Sequence, residues 1–310
     1  MWPSKTPSPP NPLRFQLAWG GLLLGIWFFQ TPPALLHSSW AASILLFAVL
    51  ILLPIYFSLE KKETTLPRYW DPIASISGTL FWLAFLLPPS TLAGVLALPW
   101  LFVGLAFFIL SLPTKNEDIP NLGDWTLLAG RLLFATAGFW AVADRLALQP
   151  LGFSPDIVLL TAVHFHYAGL FFLSLIVWAA REAPKSRIAQ ISMWLAIVSV
   201  PLTALGITAS QVWGQYLLES ISAVLVGLSG MLTARLYIRI SRSASQPVRM
   251  LRYLTAISLV VGMTLAILYA IRPIYPIDWL HIPFMRAVHG TCNALGIATA
   301  GLLSWYFVKC

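Results

Sequence analysis

The sequence predicts an all-α membrane protein, a polytopic bundle of about ten transmembrane helices. Of the 310 residues, 58% are hydrophobic and only 10% are charged, whereas soluble domains carry about 25% charged residues. The apolar residues also fall into runs of roughly 20, which is the length that a helix needs to cross the hydrocarbon of a bilayer. Such a composition excludes a soluble protein.

Ten apolar runs follow one another along the chain, separated by clusters of Pro, Gly and charged residues. The loops between them are short, so any chemistry must take place inside the bundle. The first 13 residues are predicted to be a cytoplasmic Pro-rich tail, and residues 14–310 a single transmembrane helical domain. The predicted spans cover approximately residues 14–30, 35–58, 72–88, 91–112, 122–147, 155–180, 188–209, 213–238, 250–271 and 279–308.

The positions of lysine and arginine predict the orientation, because these residues are retained on the cytoplasmic side of a membrane. With the N-terminus inside, the predicted cytoplasmic segments hold 15 of the 19 positive residues, and the outer loops hold only Arg145 and Arg272. Both termini are therefore expected inside. Such short clusters hold topology, which argues against a nucleic-acid partner. The 15 are Lys5, Arg14, Lys61, Lys62, Arg68, Lys115, Arg181, Lys185, Arg187, Arg235, Arg239, Arg242, Arg249, Arg252 and Lys309.

Polar side chains within three of the spans are predicted to meet. The sixth, eighth and tenth spans all run from outside to inside, and at 1.5 Å per residue His164, Glu219 and His289 lie roughly 10–15 Å below the outer ends. Ionisable residues in hydrocarbon are costly and indicate function by default. A shared depth on three spans therefore predicts one polar pocket that faces the outside.

Helical phase indicates which side chains share a face. Arg286, His289 and Asn293 form one stripe on the tenth span, at i, i+3 and i+7. His164 and His166 point about 200° apart, so we expect His164 in the pocket and His166 against a neighbouring helix.

Charge adds a further expectation, because Arg286 cannot lose its proton. We expect it to be neutralised by Glu219, Asp144 or an anionic ligand. On the eighth span, Gln215 shares the predicted stripe of Glu219.

The predicted site residues fall into two groups. The expected catalytic residues are Glu219, His164 and His289. The expected substrate contacts are Asn293, Arg286, His166, Tyr167 and Gln215.

Three functions fit these residues, in order of preference. A membrane enzyme would use Glu219 and a histidine as acid and base on a lipid-soluble isoprenoid or lipid. A binding protein would hold haem between imidazoles, or a divalent metal on His164, His289 and Glu219, although the sequence requires no cofactor. A transporter or structural protein would use the same residues as a polar seam. The expected partners are membrane lipids and a lipid-soluble small molecule.

Two segments resemble the YndJ-like family of bacterial polytopic membrane proteins. They are T-A-V-H-F-H-Y-A-G, from Thr161 to Gly169, and H-G-x-x-N-A-L-G, from His289 to Gly296. The resemblance implies a multi-pass protein of the bacterial cytoplasmic membrane. It implies no particular activity, so the predicted pocket rests on its own residues.

The orientation can be tested with topology reporters fused at two points of the chain. A reporter after Lys309 should read as cytoplasmic and one in the loop at Arg272 as external, because the positive residues strongly favour that arrangement. Paired enzyme fusions that are active on opposite sides of the membrane measure both positions. The reverse pattern would overturn the depth argument as well as the orientation.

Overall fold

The computed structural model describes residues 12–61, 66–113 and 120–309. Within these ranges the regular structure is helical, with no strand, and ten long helices occupy the positions of the ten predicted spans. Lys5, Lys62, Lys115 and residues 1–11 of the predicted tail lie outside the described residues. The helices are α1 (Pro12–Gln30), α2 (Ser39–Glu60), α3 (Trp70–Leu86), α4 (Thr91–Ile109), α5 (Leu122–Arg145), α6 (Pro155–Arg181), α7 (Arg187–Trp213), α8 (Tyr216–Ser241), α9 (Gln246–Ala270) and α10 (Ile282–Val308).

Eight of these helices in the described chain are both long and apolar enough to cross a membrane. The other two are α1, which carries Arg14 and Gln16, and α3, which has only 17 residues. The predicted all-α polytopic membrane fold is therefore confirmed. The orientation of the bundle in the membrane stays a prediction.

The connection between α7 and α8 differs from the predicted one. Helix α7 continues to Trp213, four residues past the predicted end, and stops at Gly214, whose φ is 66°. Glycine adopts this left-handed conformation without the clash that a Cβ would cause, which makes it the common residue after a helix end. Gln215 follows with φ −94° and ψ 93° and precedes the first turn of α8. Gln215 is thus outside the helix, and its predicted stripe with Glu219 is wrong.

Three helices contain a π-helical segment within the α-helix. The segments are Ala48–Leu52 in α2, Phe165–Phe171 in α6 and Cys292–Thr299 in α10. The segment of α10 contacts those of both α2 and α6. Such segments are rare in proteins, and those that occur often lie at functional sites. The place where the three segments meet is therefore a candidate for a functional site.

The centre of the bundle consists of α2, α5 and α6, whose apolar windows are more than 70% buried. Helix α6 lies between α5 on one side and α2 and α10 on the other, and α9 packs behind α10. Helix α7, in contrast, turns two thirds of its apolar window outward. The residues expected at the site are therefore presented by a central helix, α6, and by its neighbour α10.

The close packing of α7 against α8 can be tested at Gly206. A Cβ at Gly206 would lie 2.6 Å from the Cα of Glu219, and backbone cannot move aside cheaply. The Gly206→Ala variant should therefore lose about 1–3 kcal/mol of stability. A Cβ at Gly21 in α1 meets nothing within 4 Å, so Gly21→Ala is the matched control and should keep or slightly raise the stability, since alanine favours a helix over glycine. Thermal unfolding in detergent, followed by size exclusion, measures both; equal stability of the two variants would contradict this packing.

Candidate functional site

The structure brings His164 of α6 and His289 of α10 into contact. Their ring centroids lie 6.3 Å apart and the ring planes are inclined by only 28°. The two rings are close enough to share a ligand or a bridging water. We call His164, His289 and Asn293 the histidine site.

His289 is held by hydrogen bonds at both ring nitrogens. Its Nδ1–H donates to the carbonyl oxygen of Gly262 in α9 over 2.9 Å, and its Nε2 accepts from the Asn293 amide over 2.9 Å. Because a carbonyl can only accept, this pair of partners defines the neutral tautomer with the proton on Nδ1. Asn293, which shares the predicted stripe of His289 on this helix, thus supplies the hydrogen bond at Nε2.

His164 differs from His289 because only one of its ring nitrogens is occupied. Its Nδ1–H donates to the carbonyl oxygen of Leu160, one turn earlier in α6, over 2.7 Å. Among the described residues, none is within hydrogen-bond distance of Nε2. The His164 side chain is exposed at the surface of the protein. Its residue lies about 14 Å along α6 from the first residue of that helix, at the usual helical rise. The histidine site thus presents one acceptor nitrogen at the protein surface.

His166 points away from the histidine site, as its phase predicted. Its Nδ1–H donates to the carbonyl oxygen of Ala162, its Nε2 accepts from the indole N–H of Trp100 in α4 over 3.2 Å, and its side chain is 0% exposed. The ring also packs edge-on against Phe134 of α5. A substrate contact predicted for His166 is therefore wrong for this conformation, because both nitrogens are used inside the protein.

Tyr167 is likewise used for helix packing. Its hydroxyl donates to the carbonyl oxygen of Ile44 in α2 over 2.9 Å, and the side chain is buried. The hydroxyl therefore ties α6 to α2. It does not reach the histidine site, and the predicted substrate contact is not supported.

Arg286 has a different partner from the two carboxylates that we expected. It lies 3.7 Å from the carboxylate of Asp156 in the first turn of α6 and donates to the carbonyl oxygen of Leu36. Asp144 pairs with the adjacent Arg145 over 2.6 Å. The expected pairing of Arg286 with Glu219 or Asp144 is thus wrong, because the first turn of α6 supplies a nearer carboxylate.

Glu219 lies outside the histidine site. Its carboxylate pairs with Arg272 over 3.1 Å. The neighbouring Ser220 donates to the carbonyl oxygen of Ala270, whereas His289 donates to that of Gly262. These carbonyls are eight residues apart on α9, or about 12 Å, so the predicted shared depth is wrong for Glu219. Gln215, exposed before α8, has no side-chain contact to the site among the described residues.

The positions of His164, His289 and Glu219 decide whether these three side chains could hold a metal or haem. Neither nitrogen of His289 is free, and Glu219 is not within reach of the two histidines. No group of three His, Cys, Asp or Glu side chains in the described part of the chain has the spacing of a metal site. The set His164, His289 and Glu219 therefore does not fit a metal, and a ligand at His289 would have to displace an existing hydrogen bond.

Sequence reasoning missed three residues that hold the predicted site residues in place. Gly262 supplies the carbonyl that anchors His289, and Trp100 occupies the second nitrogen of His166. A backbone carbonyl leaves no signal in a side-chain pattern, and a tryptophan in an apolar run is expected at an interface. Asp156 had a readable signal, since it is an acidic residue in the first turn of a helix that runs parallel to α10.

The altered ion pairs can be tested with two double-mutant cycles. Glu219→Gln and Arg272→Gln should be non-additive in stability by roughly 0.5–3 kcal/mol, because the two groups are in contact. Glu219→Gln and Arg286→Gln should add within about 0.5 kcal/mol, as distant sites do. Thermal unfolding of the singles and doubles in one detergent gives both numbers. A coupling in the second cycle as large as in the first would restore the pairing that we reject.

Comparison with known proteins identifies the family. The model of the YndJ-like protein family matches residues 43–297. The uncharacterized membrane protein YndJ of Bacillus subtilis (strain 168) is 28% identical over 191 residues, which is 61% of this chain. The chain spans about a third of that relative's own length, 34%. No solved structure matches.

The match extends well beyond the two segments that carry the sequence resemblance, and it contains every residue of the histidine site. It also contains the three π-helical segments apart from the last two residues of the third. Because the family model covers far more than half of the chain, this membrane protein belongs to the YndJ-like family.

Proposed function

We propose that this protein is an enzyme of the bacterial cytoplasmic membrane that acts on a lipid-soluble substrate, an isoprenoid or lipid with a polar end, at the face where α6 meets α10. The bacterial relative and the distribution of positive charge support the location. The observation that carries the proposal is the exposed side chain of His164, partway along the apolar helix α6, whose Nε2 atom makes no hydrogen bond to the described residues. An unpaired polar atom there is costly, and the polar end of a substrate would remove that cost.

His164 is the proposed acid and base. The hydrogen bond from Nδ1–H to Leu160 holds the neutral tautomer, which leaves the Nε2 lone pair to take a proton from a substrate hydroxyl or acidic C–H. The same carbonyl would stabilise the imidazolium that results, until it returns the proton to the product. Positioned proton transfer of this kind contributes about 10²–10⁴-fold to a rate.

His289 and Asn293 are proposed to position the reacting groups. Two hydrogen bonds fix the His289 ring, and this ring lies nearly parallel to that of His164. Because the Asn293 amide donates to His289, its carbonyl oxygen stays available as an acceptor for the substrate's polar end. Glu219, about 12 Å away along α9, is not the second acid–base group of this proposal.

A structural role is the second candidate, and the satisfied hydrogen bonds of His289 favour it. They link α10 to α9, while Asp156 and Arg286 link α10 to α6. In that case the same residues form a polar seam that keeps neighbouring helices in register. The two candidates differ at His164, whose free nitrogen contributes nothing to a seam.

The test compares His164→Gln with His166→Gln, two changes that lie two residues apart on opposite sides of one helix. His164→Gln should leave thermal stability near that of the wild type, because Nε2 has no protein partner to lose and the Nδ1 hydrogen bond goes only to a carbonyl of the same helix. It should nevertheless fail to restore the lipid composition of a strain that lacks the protein, measured by mass spectrometry of whole lipid extracts. His166→Gln should lower the melting temperature, since the buried hydrogen bonds of both ring nitrogens are lost. It should still restore the lipid composition in cells whose membranes contain the variant protein.

Restoration of the lipid composition by His164→Gln at normal protein levels would refute the enzyme proposal. If His164→Gln and His289→Gln instead lower stability without any change in lipids, the residues form the structural seam. Expression of each variant, followed by immunoblot of membranes, separates loss of protein from loss of activity.

A further inference from the structure

We infer that a groove at the opposite end of the bundle from the histidine site binds the phosphate group of an anionic lipid. The groove lies between the start of α7 and the last turns of α8, at the end that the positive charges predict to be cytoplasmic. It has a volume of about 250 Å³. This inference is independent of the proposed enzyme function. The lining residues are Ser186, Ile188, Arg235, Leu236, Ile238, Arg239 and Arg242.

Three arginines form the charged wall of the groove. Arg235, Arg239 and Arg242 follow one another at i, i+4 and i+7, so they share one face of the helix and its end. All three are exposed, and no acidic partner is within salt-bridge distance of them in the described residues. This contrasts with Arg131, Arg145, Arg252, Arg272 and Arg286, each of which has a carboxylate partner. Guanidinium groups bind phosphate oxygens in pairs, which suits a cluster left without carboxylates.

Ser186 provides an independent observation that points to a ligand in the groove. Its side chain is only 6% exposed, yet its hydroxyl has no hydrogen-bond partner. Ser186 directly precedes α7, where a serine normally caps the helix, but its side chain makes no capping bond. A buried hydroxyl without a partner is costly, and a phosphate oxygen in the groove would accept from it.

The start of α7 completes the anion site. This 27-residue helix has no acidic residue in its first turn and no side-chain cap, so its N-cap residue leaves the first backbone N–H groups without a side-chain acceptor. Free N–H groups and the helix dipole favour an anion at such a terminus. The remaining lining residues, Ile188, Leu236 and Ile238, are apolar. They would contact the glycerol and upper acyl chain, which a free phosphate lacks.

The sharpest test uses Ser186→Ala, because the hydroxyl that it removes makes no hydrogen bond to the described residues. The purified full chain is titrated with phosphatidylglycerol, phosphatidylcholine or inorganic phosphate, and native mass spectrometry and thermal shift report binding. We expect phosphatidylglycerol to bind more tightly than phosphatidylcholine. Arg239→Gln should weaken phosphatidylglycerol about tenfold, the effect of losing one charge-assisted hydrogen bond. Ser186→Ala should weaken it several-fold without changing the stability of the lipid-free protein.

Two matched controls separate the groove from general effects. Ser192, also in α7, has a buried hydroxyl without a partner but does not line the groove; Ser192→Ala should leave binding unchanged. Arg14→Gln removes an exposed charge from α1 and should also have no effect. Equal binding of the two lipids, or equal effects of Ser186→Ala and Ser192→Ala, would overturn the inference. Saturable, Ser186-dependent binding of inorganic phosphate that matches phosphatidylglycerol would support the phosphate site but assign it to a soluble ligand.

Discussion

Hydrocarbon offers no hydrogen-bond partners, and the polar interior of this protein is organised around that constraint. Each histidine in the middle of a span donates from Nδ1 to a backbone carbonyl: His164 to Leu160, His166 to Ala162 and His289 to Gly262. Two of these carbonyls, those of Leu160 and Ala162, lie one turn before their own histidine in the same helix. These two rings are therefore oriented by their own helix before any other helix packs against them. Tertiary structure then gives His166 its second partner, Trp100 of α4, and gives His289 its carbonyl partner, Gly262 of α9. The Nε2 atom of His164 has no partner among the described residues.

The π-helical segments show how the same constraint shapes the backbone. A π turn shifts the register of a helix by adding a residue, and it changes which side chains face a neighbour. In α6 the segment begins at Phe165, directly after His164, and in α10 at Cys292, directly before Asn293. The rotations that bring His164 against His289 and send His166 toward α4 are thus built around these irregular turns.

The two ends of the bundle differ in whether their arginines are paired with carboxylates. At the end where α6 and α10 begin, Arg145, Arg272 and Arg286 each have a carboxylate partner within the protein. At the opposite end, Arg252 is neutralised by two hydrogen bonds to Glu182, while the groove arginines on α8 are left open. Charges inside the bundle are therefore paired within the protein, and those at the groove are free for the anionic surface of the membrane, which attracts basic residues by about 1 kcal/mol each.

The sequence by itself determined the membrane environment, the ten helices and the family, because long apolar runs and short polar motifs are local properties of the chain. It also determined that His164 and His166 point apart and that Asn293 reaches His289, since both follow from spacing on one helix. Tertiary structure alone decided that Glu219 pairs with Arg272 and Arg286 with Asp156. Such partners depend on the rotation and relative height of separate helices, which are set by packing between apolar faces that all look alike in sequence.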